Sequence, residues 1–274
     1  MGRWVLGLVG LALVGGCGRS QTYRPKRIPV VGLSCDPRML TRPCATICGS
    51  GIEKCIGGYW TACSAADPLS APATLELTGT LRDFHPSHPD FENRVGDDHG
   101  IVETMLGSDD KPVYAHGGST RTVTSPVSFF QWYHDTPGIN RSAPLSLTLN
   151  RTSLTPLVYS FVNNAFFPLD GQLFGDEGNN HNFHFTLELH TEVEYRGGET
   201  LSFQGDDDLL IFVAGSLVID LGGAHPTEAA TVSLDSLGLA TGTIYPLDVF
   251  FAERHTSSST LRVETTNARF VQCP

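Results

Sequence analysis

Apolar and polar residues alternate most cleanly from Phe183 to Tyr195. Phe183, Phe185, Leu187, Leu189, Val193 and Tyr195 fall on one side, with Thr191 among them. His184, Thr186, Glu188, His190, Glu192 and Glu194 fall on the other. A period of two predicts a half-buried strand with a polar outer face. Thr74 to Leu81 alternates in the same way, and Thr200 to Gln204 reads as a further strand. Leu209–Val213 and Leu217–Ile219 are apolar runs around Ala214-Gly215-Ser216, which predicts a tight hairpin. Ile244–Phe251 and Leu261–Glu264 are the last long strands. Ser125-Pro126, followed by Phe129, Phe130 and Tyr133, predicts a short capped helix. No strand–helix–strand alternation occurs, which excludes doubly wound folds; the expected class is an all-β, antiparallel β-sandwich.

Composition supports this class. Gly (29) and Pro (17) are plentiful and Met (3) is rare, which suits short strands joined by turns. Of the 274 residues, 40% are hydrophobic and 17% charged, enough for one sizeable core. The net charge of −11 argues against a nucleic-acid partner. An acidic surface suits Ca²⁺ and neutral sugars.

The N-terminus reads as a targeting segment. Arg3 precedes an apolar run from Trp4 to Val14, which ends Leu13-Val14-Gly15-Gly16-Cys17. That end resembles a bacterial lipobox. It implies a signal peptide over residues 1–16, lipidation of Cys17 and attachment to the outer membrane or cell surface through a lipid anchor; the alternative is an ordinary secretory signal and a secreted chain. Residues 17–34 read as a tether, rich in Arg, Lys and Pro. Residues 35–72 form a cysteine-rich module holding Cys35, Cys44, Cys48, Cys55 and Cys63, and residues 73–274 the main domain. Export implies an oxidising compartment, so the cysteines are expected in disulfides. Zinc would need two close pairs, and only Cys44 and Cys48 have that spacing. Cys273 brings the number to six, and six cysteines allow 15 pairings.

Candidate chemistry centres on Asp206, Asp207 and Asp208, which directly precede an apolar strand. Adjacent carboxylates repel, and a hard cation with oxygen ligands relieves the repulsion. His85, His88, Asp97, Asp98 and His99 occupy a Gly- and Pro-rich stretch that reads as solvated loop, since no ligand spacing recurs. His184, Glu188 and His190 offer a transition-metal alternative, but a wet strand face explains them more simply. Trp132 and Tyr133 suggest either a sugar-stacking platform or core packing. No G-x-S-x-G or H-E-x-x-H occurs, so a binding protein is expected rather than an enzyme.

Several ordered segments resemble the fibro-slime domain, a relative of the protective-antigen-type and yeast flocculin sandwiches. They include Leu77–Phe84, His88–Glu92, Lys111–Tyr114, Phe130–Asp135, Phe166–Asp170, Asn180–Thr186, Gly205–Gly223 and Tyr245–Thr256. In the flocculins, two adjacent aspartates joined by a cis peptide hold a calcium ion that itself binds sugar. The resemblance therefore implies Ca²⁺ at Asp206 and Asp207, with a strained or cis bond between them and support from Asp208 and Glu253. It implies a polysaccharide or glycan partner near Arg254, His255 and Trp132. Superfamily members bring their termini together, which implies that Cys273 pairs with a cysteine of the 35–63 cluster. The expected function is calcium-dependent adhesion. The alternative is a matrix or scaffold protein in which calcium only stiffens a loop.

Overall fold

The computed structural model describes residues 34–65, apart from 37, 39, 47 and 48, and residues 71–271. Cys17, Cys48 and Cys273, with the leader and tether, lie outside the described residues. Strands β1 (Thr41–Thr46), β2 (Gly49–Ile56) and β3 (Tyr59–Trp60) form a small antiparallel sheet. Disulfides Cys35–Cys55 and Cys44–Cys63 fasten it. A sheet this small buries little apolar area, so covalent staples replace a core.

The main domain contains β4 (Thr74–Phe84), β5 (Gly96–Asp97), helix α1 (Pro126–Phe130), β6 (Asn140–Leu154), β7 (Leu157–Asn163) and β8 (Phe185–Tyr195). There follow β9 (Thr200–Gly205), β10 (Asp208–Val213), β11 (Ser216–Leu221), β12 (Gly223–Ala224), β13 (Glu228–Ser233), β14 (Thr243–Glu253), β15 (Leu261–Thr266) and β16 (Arg269–Phe270). The large sheet runs in the order β11-β10-β14-β8-β4-β6-β7-β15-β9-β13, and every ladder is antiparallel. It folds over on itself, so that its terminal strands β11 and β13 lie beside each other. Along β11, Leu217 N–H donates to Thr104 O at 2.9 Å and Leu106 N–H to Gly215 O at 3.0 Å.

Most of the predicted strands form where the pattern places them. The hairpin between β10 and β11 turns at Ala214 and Gly215, with φ of 54° and 77°. That left-handed pair matches the twist of the flanking strands. Ser125 caps α1 in extended geometry, its hydroxyl accepting Ser128 N–H at 3.0 Å.

Two apolar cores result. The main one fills the sandwich with Leu81, Leu187, Leu189, Phe203, Leu209, Ile211, Phe251 and Leu261 among others. The second lies on the opposite face of β10 and β14. There Leu210, Phe212, Phe250 and Ala252 pack against Ile101, Val102, Val123, Phe129, Trp132 and Tyr133. Strand β10 is thus buried on both faces, which explains its unbroken apolar run. Each fully buried Phe contributes about 1.5–3 kcal/mol.

This second core corrects two expectations. The stretch from Phe84 to Tyr114 is not simply solvated loop, because it roofs the sheet. The polar side of β8 is covered at its start, where Thr186 and Glu188 are buried. Thr186 Oγ1 donates to Trp132 O at 2.5 Å, and Glu188 pairs with Arg82 at 2.6 Å and with Lys111.

Candidate functional site

Strand β9 ends at Gly205, and the chain passes through Asp206 and Asp207 before β10 begins at Asp208. The end of β14 delivers Glu253 and Arg254 beside them, since Asp208 pairs in register with Ala252. Asp206, Asp207, Asp208, Glu253 and Arg254 are all at most 5% exposed.

Asp206 is held by the 227 and 258–260 segments. Its carboxylate accepts Ser258 Oγ at 2.8 Å, Thr227 Oγ1 at 3.1 Å and the Thr260 backbone N–H. Asp207 Oδ2 accepts Arg254 N–H at 2.8 Å. Asp208 Oδ2 accepts Arg254 Nε at 2.6 Å, and its Oδ1 accepts Gly223 N–H at 2.7 Å. Gly223 has φ of 122°, and a Cβ there would meet Gly96 O at 2.3 Å, so only glycine fits. The Asp206–Asp207 bond is trans, and the cis bond among the described residues is Thr155–Pro156. The expected cis linkage is therefore corrected.

Electrostatics divide the cluster. Arg254 neutralises Asp208 and is itself fixed by Asp90 O at 2.9 Å and Thr122 O at 3.0 Å. Its guanidinium lies 4.5 Å from the Trp132 ring centroid. Burial pushes the Asp207 carboxyl up to about 7, with Arg254 pulling down and Asp208 and Asp206 adding repulsion. Burial, then the charges of Asp207 and Asp206, pushes Glu253 well above the usual carboxylate range. Glu253 Oε2 is buried without a hydrogen-bond partner, as is Ser259 Oγ. Ser259 lies close enough to draw the Glu253 carboxyl down slightly, but the pair lacks hydrogen-bonding geometry.

Among the described residues, no three His, Cys, Asp or Glu side chains form a ready-made metal cage. The donor chemistry nevertheless fits a hard cation in part. Asp206, Asp207 and Glu253 are oxygen donors whose mutual repulsion is only partly offset, and the orphaned Glu253 Oε2 is the group a cation would satisfy. Asp208 does not fit, because the Arg254 guanidinium already neutralises it, whereas the partners of Asp206 are neutral hydroxyls and an amide.

The predicted ligand-contacting residues separate. Trp132 is 0% exposed and donates Nε1–H to Asp90 Oδ2 at 3.0 Å, so it is core and presents no stacking face. Arg254 is 1% exposed and fully engaged inside the protein, so it too is withdrawn from any ligand. His255 remains part-exposed, its Nε2 3.8 Å from Glu92 Oε2. His184, Glu188 and His190 do not converge. His184 pairs with Glu92 at 2.8 Å, while His190 bridges Glu188 at 2.9 Å and Asp248 at 2.7 Å.

Beside the aspartates opens a pocket of about 470 Å³. Asn164, Asn179 and Asn180 line it together with Thr256, Ser257, Ser258 and Ser259. Phe167 and His181 also line it, their rings stacked at 4.0 Å and 5°. Ser258 belongs to both pocket and cluster, through its bond to Asp206. Sequence reading singled out neither this pocket nor Asn179 and Asn180. An Asn pair in a Gly-rich stretch reads as an ordinary turn.

An antiparallel sandwich with a buried acidic cluster at one end defines the class. Residues 163–270 match the model of the PA14 domain. The chain is 41% identical over 218 residues to the protein psiR of Dictyostelium discoideum, covering 73% of this chain and 22% of psiR. It is 39% identical to psiD of the same organism, covering 71% of this chain and 42% of psiD. The chain thus spans less than half the length of these relatives. Among solved structures it is similar to a PA14 sugar-binding domain from an RTX adhesin, at 12% identity and a TM-score of 0.33, covering 72% of this chain and 99% of that one. It is also similar to an epithelial adhesin A domain from Candida glabrata in complex with β-lactose, at 11% identity and a TM-score of 0.33, covering 75% and 92%.

Proposed function

We propose that this chain is a calcium-dependent carbohydrate-binding module, of the fibro-slime kind, acting in adhesion. The observation that carries the reading is the unpartnered Glu253 Oε2, buried with Asp206 and Asp207 directly beside an amide- and hydroxyl-lined pocket. Asp206, Asp207 and Glu253 would hold the ion, which supplies charge neutralisation and an anchor for hydroxyl groups. Asn164, Asn179, Asn180, Thr256 and Ser257 offer the neutral donors and acceptors that sugar hydroxyls need. The exposed edge of the Phe167–His181 pair offers an apolar face. The chain acts by binding rather than by catalysis, at a cell surface reached through the lipid on Cys17.

The burial of Asp207 and Glu253 favours a second reading, a matrix or scaffold protein in which the ion only stiffens the loop. A glycan array run with calcium and with chelator separates the two. Adhesion requires glycan binding that chelator and the double variant Asp206→Asn, Asp207→Asn both abolish. Calcium binding with no glycan retained leaves the scaffold, and no calcium binding ends both readings.

A further inference from the structure

Two chain segments form the lips of the pocket. One carries Asn179, Asn180 and His181, and the other is Thr256 to Ser259. The side chain of His184, 2% exposed, lies where both lips are anchored. Its Nε2 is 2.8 Å from Glu92 Oε1, and its Nδ1 is 3.7 Å from Glu177 Oε2.

Each glutamate is committed to one lip. Glu92 Oε1 accepts Thr256 N–H at 2.9 Å and Oε2 accepts the Thr256 hydroxyl at 3.1 Å. Glu92 N–H donates to Arg254 O at 2.9 Å. Glu177 sits in the turn closed by Asn179 N–H on Asp176 O at 2.8 Å. Both glutamates adopt left-handed backbone, with φ of 61° and 50°. A non-glycine residue holds that conformation only where its surroundings over-determine it.

A neutral imidazole donates from one nitrogen, whereas imidazolium donates from both. Only the charged ring can therefore engage both carboxylates as a donor. We propose that Glu92, His184 and Glu177 form a brace that sets the opening of the pocket, and that protonation of His184 draws both lips onto it. His184 and its two glutamates are positioning residues and touch no ligand. The inference rests on the glycan reading for its consequence, but not for its geometry. Other ionisable groups face the brace. His85 bonds Glu177 from its far side, Asp83 acts on the same glutamate through its charge, and His255 stands 3.8 Å from Glu92. On the apolar side, Phe91 meets the His184 ring edge-on at 6.1 Å.

The test is an NMR titration of the intact chain between about pH 5 and 8, without glycan. The Thr256 and Asn179 amides should shift together in the wild type. They should stay flat in His184→Gln, which keeps a donor but cannot charge, and should still titrate in His255→Gln. Should His184→Gln fail to fold, Glu177→Gln serves, with the Asn179 shift lost and the Thr256 shift kept. With calcium held at concentrations that saturate the site at every pH, glycan retained on the array should bind roughly tenfold tighter at the acidic end, the size of one charge-assisted hydrogen bond. Amides that titrate alike in wild type and His184→Gln, or not at all in wild type, overturn the brace. Titrating amides with no glycan bound leave the brace standing and sink the functional reading. Bound glycan with silent amides does the reverse.

Discussion

Arg254 and Asp208 meet at 2.6 Å with 1% and 0% of their side chains exposed. The pair joins the end of β14 to the start of β10 and ties both to Asp90 and Thr122 in the roof. Removing one partner strands a buried charge, which costs about 3–5 kcal/mol. Arg254→Met and Asp208→Asn should each lower stability by that order in urea unfolding. Arg254→Met with Asp208→Leu should recover part of the loss. A double-variant loss equal to the sum of the two single losses would show that the pair is uncoupled.

Trp132 is a core residue, packed near Phe129 at 4.8 Å between ring centroids and under the Arg254 guanidinium. Trp132→Ala should cost about 3–5 kcal/mol in chemical unfolding. A substitution that lowers glycan affinity while leaving stability untouched would contradict this placement.

Calcium should stabilise the chain more at alkaline than at acid pH. The folded carboxyl of Asp207 is raised from 3.8 to about 7, so the metal-free chain loses stability as pH rises through that interval. Binding requires the deprotonated form, so affinity should climb as pH passes 7. Calorimetric thermal midpoints, with and without calcium at several pH values, check the sign. A calcium gain that is constant with pH would exclude Asp207 as a ligand.

His190 should mark a second pH dependence. Hydrogen bonds to Asp248 and Glu188 raise its folded pKa to about 9. Its stabilisation is complete below the unfolded value of 6.5 and is lost as pH rises through about 9. Although burial raises Glu188, bonds from His190 and Lys111 and the charge of Arg82 hold it down to about 2, so its part is lost only in strong acid. With His190 42% exposed, solvent screens the contact and the effect is small. Comparing unfolding of wild type and His190→Gln at about pH 6 and 10 should show the difference shrink.

The disulfides Cys35–Cys55 and Cys44–Cys63 leave Cys48 and Cys273 as the other two of the six. Peptide mapping without reduction should recover these two joined. Closing so long a loop contributes roughly 4–5 kcal/mol in the chain-entropy model. A free Cys273 thiol would refute the link.

The strands that line the main core were legible because their inward faces repeat every two residues. Leu187 and Phe251, directly opposed on β8 and β14, are examples. The capped helix at Ser125 was legible from five residues, Ser125, Pro126, Phe129, Phe130 and Tyr133. The roof was not. His88 and Asp98 belong to a stretch that reads as solvated loop, but His88 is buried against Gln131 and Asp98 accepts from Thr120 and Thr122. Pattern alone cannot tell a polar residue that faces water from one that satisfies a buried partner far along the chain. Arg254 shows the same limit, since its partners Asp208 and Asp90 lie 46 and 164 positions away. The aspartate cluster was visible as consecutive letters, but its division between Arg254 and Glu253 required three dimensions.

The backbone of β11 is engaged at its start by the segment around Met105, so that stretch of the sheet's edge is not bare. An open edge is a template on which further copies stack. Along that stretch of β11 a further copy cannot join the sheet through the backbone ladder, and contact there has to run through side chains, where a single charge opposes it.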